Sequence, residues 1–305
     1  MEIFNDLLKK NNYQQTIGVA MANDEDVIVA IGKAQQQQLA TFVLYGPAWQ
    51  IKILLKKYAL NKVKINDCAN EIICLQKMTH DIKNNKINVV MKGLISTKKI
   101  MQMILHQDNN LIENGHLLSH VAILKLPNYH KPLFLTDAAI NIAPTINQKI
   151  QIINNVLELM DSFKYTNPHI ALLCAVEKVS LKMVATVEAQ TIVNLPLAIW
   201  KSACQIIGPV SLDVALNKKA ANIKQINHEI AGDIDLLVAP NIESGNILYK
   251  SLVYFGDAIA MGVVLGAKIP IILTSRADSS QNKLLSIALA LWFNAYQLLK
   301  KSLVI

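Results

Sequence analysis

The sequence predicts an α/β protein with mainly parallel sheets, on three observations. Short apolar, β-branched runs alternate with amphipathic stretches of about 12 to 20 residues, which is the pattern of βα units. Of 305 residues, 52% are apolar and 17% charged, enough to bury a large core and unlike a disordered chain. No glycine- or proline-rich linker separates two halves, so two domains would have to be joined by direct crossings of the chain.

Strands are expected, in order, near Thr16 to Ala22, Ala40 to Tyr45, Ile87 to Met91, Val121 to Leu126, Leu133 to Thr136, His169 to Val176, Ile234 to Ala239, Ala258 to Leu265 and Ile269 to Thr274. Helices fill most of the intervals. Asn23, with Asp26 three residues later, is a capping arrangement for a helix through Ile31, and Asp278 with Ser279 can cap the last helix. The run Gln35 to Gln38 reads as a solvated helix face. Two long apolar stretches read as buried core, not membrane spans. Ala258 to Thr274 is broken by glycines, Lys268 and Pro270, while Leu284 to Leu299 carries Ser286, Asn294 and Gln297 and falls short of the roughly 20 residues a span needs. The opening MEIFNDLLKK places acidic residues where a secretory signal would need a basic start, so no such signal is expected.

The formal charge is +8, yet the lysines are scattered and no basic tail or aromatic-and-basic RNA motif is present, which argues against nucleic acid. Anionic small-molecule ligands are a simpler reason for a positive protein. Cys68, Cys74, Cys174 and Cys204 form no CxxC pair and no ligand-like spacing with histidine. They read as reduced packing residues of a cytoplasmic protein, with no metal site. The 30 basic residues comprise 29 lysines and one arginine, Arg276. Arginine offers a planar fork that grips a carboxylate or phosphate through two hydrogen bonds, so its single occurrence singles out its neighbourhood.

GxxxxGK[ST], GxGxxG, GxSxG and HExxH are all absent, which removes the commonest triphosphatase, dehydrogenase, hydrolase and metalloprotease readings. What remains are strand ends where polar residues begin abruptly, the usual ligand positions of open α/β sheets. After GDIDLLVAP, Ser244, Gly245 and Asn246 stand before an apolar helix, where glycine lets backbone approach a ligand and free N–H groups attract an anion. Plain helix capping by Ser244 or Asn246 accounts for the same residues. After IPIILT, a hydroxyl (Ser275), a guanidinium (Arg276) and a helix start with Asp278 combine into a phosphate-type site.

The segments IESGNILYKSLVYFGDA (242–258) and LTSRADSSQNKLLSIALAL (273–291) resemble the signature segments of phosphate acetyl/butyryltransferases, most nearly the butyryl branch. MKGLISTKKIMQMIL (91–105), LLSHVAIL (117–124), FLTDAAINIAPT (134–145) and GPVSLDVAL (208–216) support the resemblance in order and spacing. It implies two α/β domains, 1–138 plus 267–305 and 139–266, with an interdomain cleft and a fold like that of isocitrate and isopropylmalate dehydrogenases. It also implies a homo-oligomer of at least two chains. The implied reaction moves a short acyl group reversibly between coenzyme A, a substrate and not a bound cofactor, and inorganic phosphate. An acyl kinase is the implied metabolic partner.

By the same resemblance Ser275 and Arg276 contact phosphate, and Gly245 and Asn246 form a second binding element. The chain departs from the acetyl branch in lacking further arginines and in carrying Asn282 where that branch has an aspartate. Lys92 and Thr97 are the candidates for a second anion contact. Asp278 is the leading candidate for the base that takes the thiol proton, with His120, Asp137 and Glu243 also possible. Three rivals stand beside this reading: a phosphate acetyltransferase, a non-catalytic binding protein of the same fold, and a decarboxylating dehydrogenase. The dehydrogenase would need several arginines and an aspartate cluster.

Overall fold

The computed structural model describes residues 3–9, 15–112, 115–275 and 278–303. The chain divides into two compact units, one built from Leu117–Ala260 and the other from Glu2–His116 together with Met261–Ile305. In chain order the first stretch contains α1 (Ile3–Asp6), β1 (Thr16–Ala20), α2 (Glu25–Gln36), β2 (Thr41–Gly46), α3 (Ala48–Lys57), β3 (Lys64–Asp67), α4 (Glu71–Lys83), β4 (Val89–Lys92) and α5 (Thr97–Leu105). The middle stretch contains β5 (Ser119–Lys125), β6 (Leu133–Thr136), α6 (Ile146–Ser162), β7 (His169–Leu173), α7 (Val184–Val193), β8 (Gln205–Val210), α8 (Leu212–Leu216), α9 (Lys218–Ile223), β9 (Leu236–Val238) and α10 (Ile242–Tyr254). The chain then adds β10 (Ile259–Leu265), β11 (Ile271–Ile272) and α11 (Ser280–Leu303).

In the terminal unit the strand order is β3-β2-β1-β4-β11-β10, parallel throughout except where β10 meets β11. In the middle unit it is β5-β6-β9-β7-β8, parallel except for the β5–β6 pair. The crossings fall earlier than the expected boundaries at 138 and 266, and the antiparallel pairs are the reason. β5 and β6 bond to each other, and β6 bonds to β9, so residues 117–138 belong with the middle unit. β10 bonds to β11, which keeps residues from Met261 onward with the terminal one.

Central strands such as β1 (TIGVA) and β4 (VVMK) are buried along nearly their whole length, as parallel strands covered on both faces must be. Each fully buried Val, Leu or Ile contributes about 1.5–3 kcal/mol. In the middle unit, Leu135, Ala171, Val210, Ile230, Ile234 and Leu237 share one core. α11 buries Leu284, Leu285, Ile287, Leu289 and Leu291 in the terminal unit. Among the described residues no helix is long and apolar enough to cross a membrane.

Two local expectations shift by one or a few residues. The cap of α2 is Asp24, whose carboxylate accepts from Val27 N at 3.0 Å, and not Asn23. Asn23 instead donates from Nδ2 to Gln50 at 2.8 Å. Ser279 does cap α11, accepting from Asn282 N at 3.1 Å.

Candidate active site

Because β1, β4 and β11 run parallel, their carboxyl ends share one edge of the terminal unit's sheet. At that edge the chain leaves β1 through Met21 to Asn23, leaves β4 through Lys92 and Gly93, and leaves β11 through Thr274 and Ser275. The first two exits are zipped together: Gly93 N donates to Ala20 O at 2.8 Å and Leu94 N to Met21 O at 2.7 Å. Only glycine fits at 93, since a Cβ there would lie 2.3 Å from Met21 O. A helix follows each exit, so the N-termini of α2, α5 and α11, the positive ends of their dipoles, lie at this edge.

Between β11 and α11, Ser275 and Asp278 bond to each other. Ser275 N donates to Asp278 Oδ2 at 2.6 Å, and Asp278 N donates back to Ser275 O at 3.2 Å. Ser275 is exposed and Asp278 half-buried. Arg276, between Ser275 and Asp278 in sequence, lies outside the described residues. Lys92 is buried at 7% exposure and donates to Gly93 O at 3.2 Å. Thr97 is the first residue of α5, and the capping role belongs to Ser96, which accepts from Lys99 N at 3.3 Å.

The middle unit assembles a second cluster at the carboxyl end of β6. There Asp137 is buried, and its carboxylate takes four hydrogen bonds: His120 N at 3.1 Å, Asn141 Nδ2 at 2.7 Å, Ala139 N at 2.8 Å and Ile140 N at 2.9 Å. His120, at the start of antiparallel β5, also accepts at its carbonyl from Thr136 Oγ1 at 2.7 Å. Gly245 and Asn246 do not precede the helix as expected. α10 begins at Ile242 under an Asn241 cap, because the Asn241 carboxamide accepts from Ser244 N at 2.9 Å and starts the helix earlier. Gly245 is buried where a Cβ would meet Asp137 O at 2.4 Å, and Asn246 Nδ2 donates to Ala138 O at 3.0 Å. Both residues therefore pack and hold the Asp137–Ala138 segment.

Several polar groups escaped the sequence reading. Lys283 is 2% exposed and donates to Asp278 O at 2.5 Å. It is the one charged residue between Asp278 and Lys300, a signal that the sequence does carry. In GPVSLDVAL, Ser211 donates to Glu177 and to Asp213, and Lys224 Nζ bonds both carboxylates at 3.0 Å. Burial would raise the Glu177 carboxyl, but the Ser211 hydroxyl and Lys224 outweigh it and hold Glu177 below its ordinary value. Burial pushes the thiol of Cys74 up to about 12 and those of Cys174 and Cys204 up to about 11, so they keep their protons at neutral pH.

The model of the family described as "Phosphate acetyl/butaryl transferase" matches residues 74–291. A probable phosphate butyryltransferase of Bacillus subtilis strain 168 is 38% identical over 277 residues, spanning 91% of this chain and 92% of that protein. A phosphate butyryltransferase of Clostridium acetobutylicum is 34% identical, spanning 94% of this chain and 96% of its own length. The crystal structure of a branched-chain phosphotransacylase from Enterococcus faecalis V583 superposes with a TM-score of 0.79 at 30% identity, covering 92% of this chain and 99% of that one. With the family model matched over residues 74–291 and a relative 38% identical across 91% of the chain, the chain belongs to the phosphate acetyl/butyryltransferase family.

Proposed function

We propose that this protein is an acyltransferase that moves a short-chain acyl group reversibly between coenzyme A and inorganic phosphate, with acyl chains of four or five carbons, straight or branched, as its preferred cargo. The observation that carries the reading is the Ser275–Asp278 turn at the start of α11, in a chain of this family. It joins a strand end to a hydroxyl, the chain's single arginine and the N-terminus of a 24-residue helix. Such an arrangement favours a multiply charged anion. The butyryltransferase relatives and the branched-chain neighbour support the acyl chain length.

In the direction that consumes acyl phosphate and forms acyl-CoA, the coenzyme A thiol, with a reference pKa near 8.5, loses its proton to a base and attacks the acyl carbonyl carbon. A C–S bond forms and the carbonyl oxygen becomes an oxyanion. The bond from carbon to the phosphate oxygen then breaks, and phosphate leaves with the electron pair. Ser275, Arg276 and the first N–H groups of α11 are assigned to the phosphate oxygens, where charge grows during the reaction. Lys92 and Thr97, at the same sheet edge, are assigned a supporting electrostatic role. Asp278 is assigned to holding the turn, since its carboxylate accepts the Ser275 N–H.

The same reading places the protein in the cytoplasm beside an acyl kinase that consumes the acyl phosphate. It also makes the protein a homo-oligomer, which the exposed Phe255 (89%), Tyr254 and Ile247 at α10 support. The test is consumption of butyryl-CoA by the purified protein with and without phosphate or arsenate, repeated with acetyl-, propionyl- and isobutyryl-CoA. Turnover is expected only with the oxyanion and fastest with the four-carbon thioesters. Thiol release without phosphate would instead mark a thioesterase, and no turnover with any thioester would mark a binding protein of this fold.

A further inference from the structure

We propose that the terminal unit carries a second ligand site, for an adenine nucleotide, on the outer side of α4: a basic cup for the phosphates that opens into an apolar groove for the base. The helical period builds both. Along α4, Ile72, Leu75, Gln76, Thr79 and His80 stand at i, i+3, i+4, i+7 and i+8, so they share one face, which meets Gln102 and Met103 of α5 across a groove of about 660 Å³. One residue further round the helix, Lys77, His80 and Asp81 join Lys64, Asn66 and Lys86 in lining a cup of about 470 Å³. Gln76 and His80 line both, so the two cavities adjoin. Each falls within the roughly 300–1,000 Å³ typical of small-molecule sites.

The two cavities differ in charge. In the groove, Lys83 and Lys99 stand with Glu71 and Asp108; Lys99 pairs with Glu71, and Lys83 donates to Asp108 O at 2.7 Å. Met103 and Thr79 are buried there, Leu75 is half-buried and Ile72 exposed. Gln76 and Gln102 add carboxamides, the group that can meet adenine through two hydrogen bonds. In the cup, three lysines face one carboxylate. That carboxylate, Asp81, accepts from the Tyr45 hydroxyl at 2.6 Å and the Asn66 amide at 3.1 Å, besides Lys86 at 3.3 Å. Neighbouring Asp67 accepts from Ala48 N at its carboxylate, 2.9 Å, and from Lys77 at its carbonyl, 2.7 Å. The positive surplus suits phosphate oxygens. Scattered surface lysines need no partner, but these line one concavity beside an apolar one, and an amphipathic anion matches both halves. Lys64 opens β3 and Lys86 leads into the amino end of β4, so the cup stands apart from the carboxyl-end residues around Gly93 and Ser275.

Isothermal titration of the full chain with magnesium-free ATP, coenzyme A and tripolyphosphate tests the site, in wild type, in the double variant Lys64→Gln with Lys77→Gln, and in Leu75→Ser. ATP should bind the wild type, about 5- to 30-fold more weakly in the double variant and about fivefold more weakly in Leu75→Ser. Tripolyphosphate should bind less tightly than ATP and be indifferent to Leu75→Ser. Coenzyme A identifies the source of the nucleotide. A second equivalent that disappears in the double variant makes the site one for coenzyme A's own adenosine phosphates, and its absence makes the site one for free nucleotides. Without added nucleotide, kcat/KM for phosphate should stay within about twofold of wild type in both variants. A larger fall would place these residues in the acyl-transfer site and overturn the second-site reading. So would ATP binding of unchanged strength in the double variant, no ATP binding to the wild type, or tripolyphosphate binding as tight as that of ATP. Titration needs no turnover, so a chain inactive toward butyryl-CoA would sink the acyltransferase reading and leave this site to be judged on binding alone.

Discussion

At the end of β6, Asp137 is 3% exposed and its two oxygens accept four hydrogen bonds, three of them from backbone N–H groups. At the end of β11, Asp278 is half-buried, and its carboxylate closes a turn around an exposed serine. Both are aspartates at a strand's carboxyl end, where ligands are expected in an α/β sheet. The difference teaches that position alone does not mark chemistry. A carboxylate saturated mainly by backbone donors is a joint of the fold, whereas the Ser275–Asp278 pair carries an exposed serine at a helix N-terminus, where an anion is favoured.

The comparison is most directly broken at Asp137. Replacing it with alanine strands three backbone N–H groups and removes one of the two bonds of the Asn141 amide, and should cost about 3 kcal/mol of stability in urea unfolding. A variant as stable as wild type but without activity would instead make Asp137 a chemical group. On the other side, Arg276→Lys keeps the charge but loses the guanidinium fork. One charge-assisted hydrogen bond of about 1.5 to 3 kcal/mol corresponds to a loss of roughly 10- to 150-fold in kcat/KM for phosphate, with the thermal melt unchanged. Unaltered kinetics would remove the phosphate site from this turn.

A smaller effect, about 1 to 3 kcal/mol, is expected for Gly245→Ala, whose Cβ would be driven against the Asp137 carbonyl. Urea unfolding measures it, and a neutral result would show that the Asp137 segment is looser than its hydrogen bonds imply. The smallest effect concerns Glu177 and Asp213, both held below their ordinary values through Ser211 and Lys224. Their folded-state values lie below the unfolded ones, so the unfolded chain binds more protons in that window. The stability they contribute is present above the ordinary carboxylate range and is lost as pH falls through the folded values. Lys224→Met should therefore flatten the loss of stability between neutral pH and about pH 3, read from melting temperature against pH.

Nine of the eleven strands among the described residues overlap the runs read from sequence, and the two that do not show why. β3 is KIND, polar and partly exposed at one end of its strand order, so neither an apolar run nor a clean alternation marks it. β8 is QIIGPV, which contains glycine and proline and survives because it also lies at an end of its order, where a missing N–H is tolerated. The start of α10 was misplaced for a related reason. Asn241 follows Pro240 directly, and Gly245 reads as a loop residue until Asp137 and Ala138 are seen packed against it.

By itself the sequence determined the alternation of strands and helices, the thiols without a partner pattern, and the Ser275–Arg276–Asp278 segment, because these depend on residue type, local period and neighbours along the chain. Only the tertiary structure decided that Asp137 is fully bonded, that Gly245 is a packing residue, and that Lys283 donates to the Asp278 carbonyl. Burial and hydrogen-bond satisfaction are properties of groups brought together from distant stretches. Lys92 and Thr274 meet at one edge only because β4 and β11, far apart in sequence, pair in parallel.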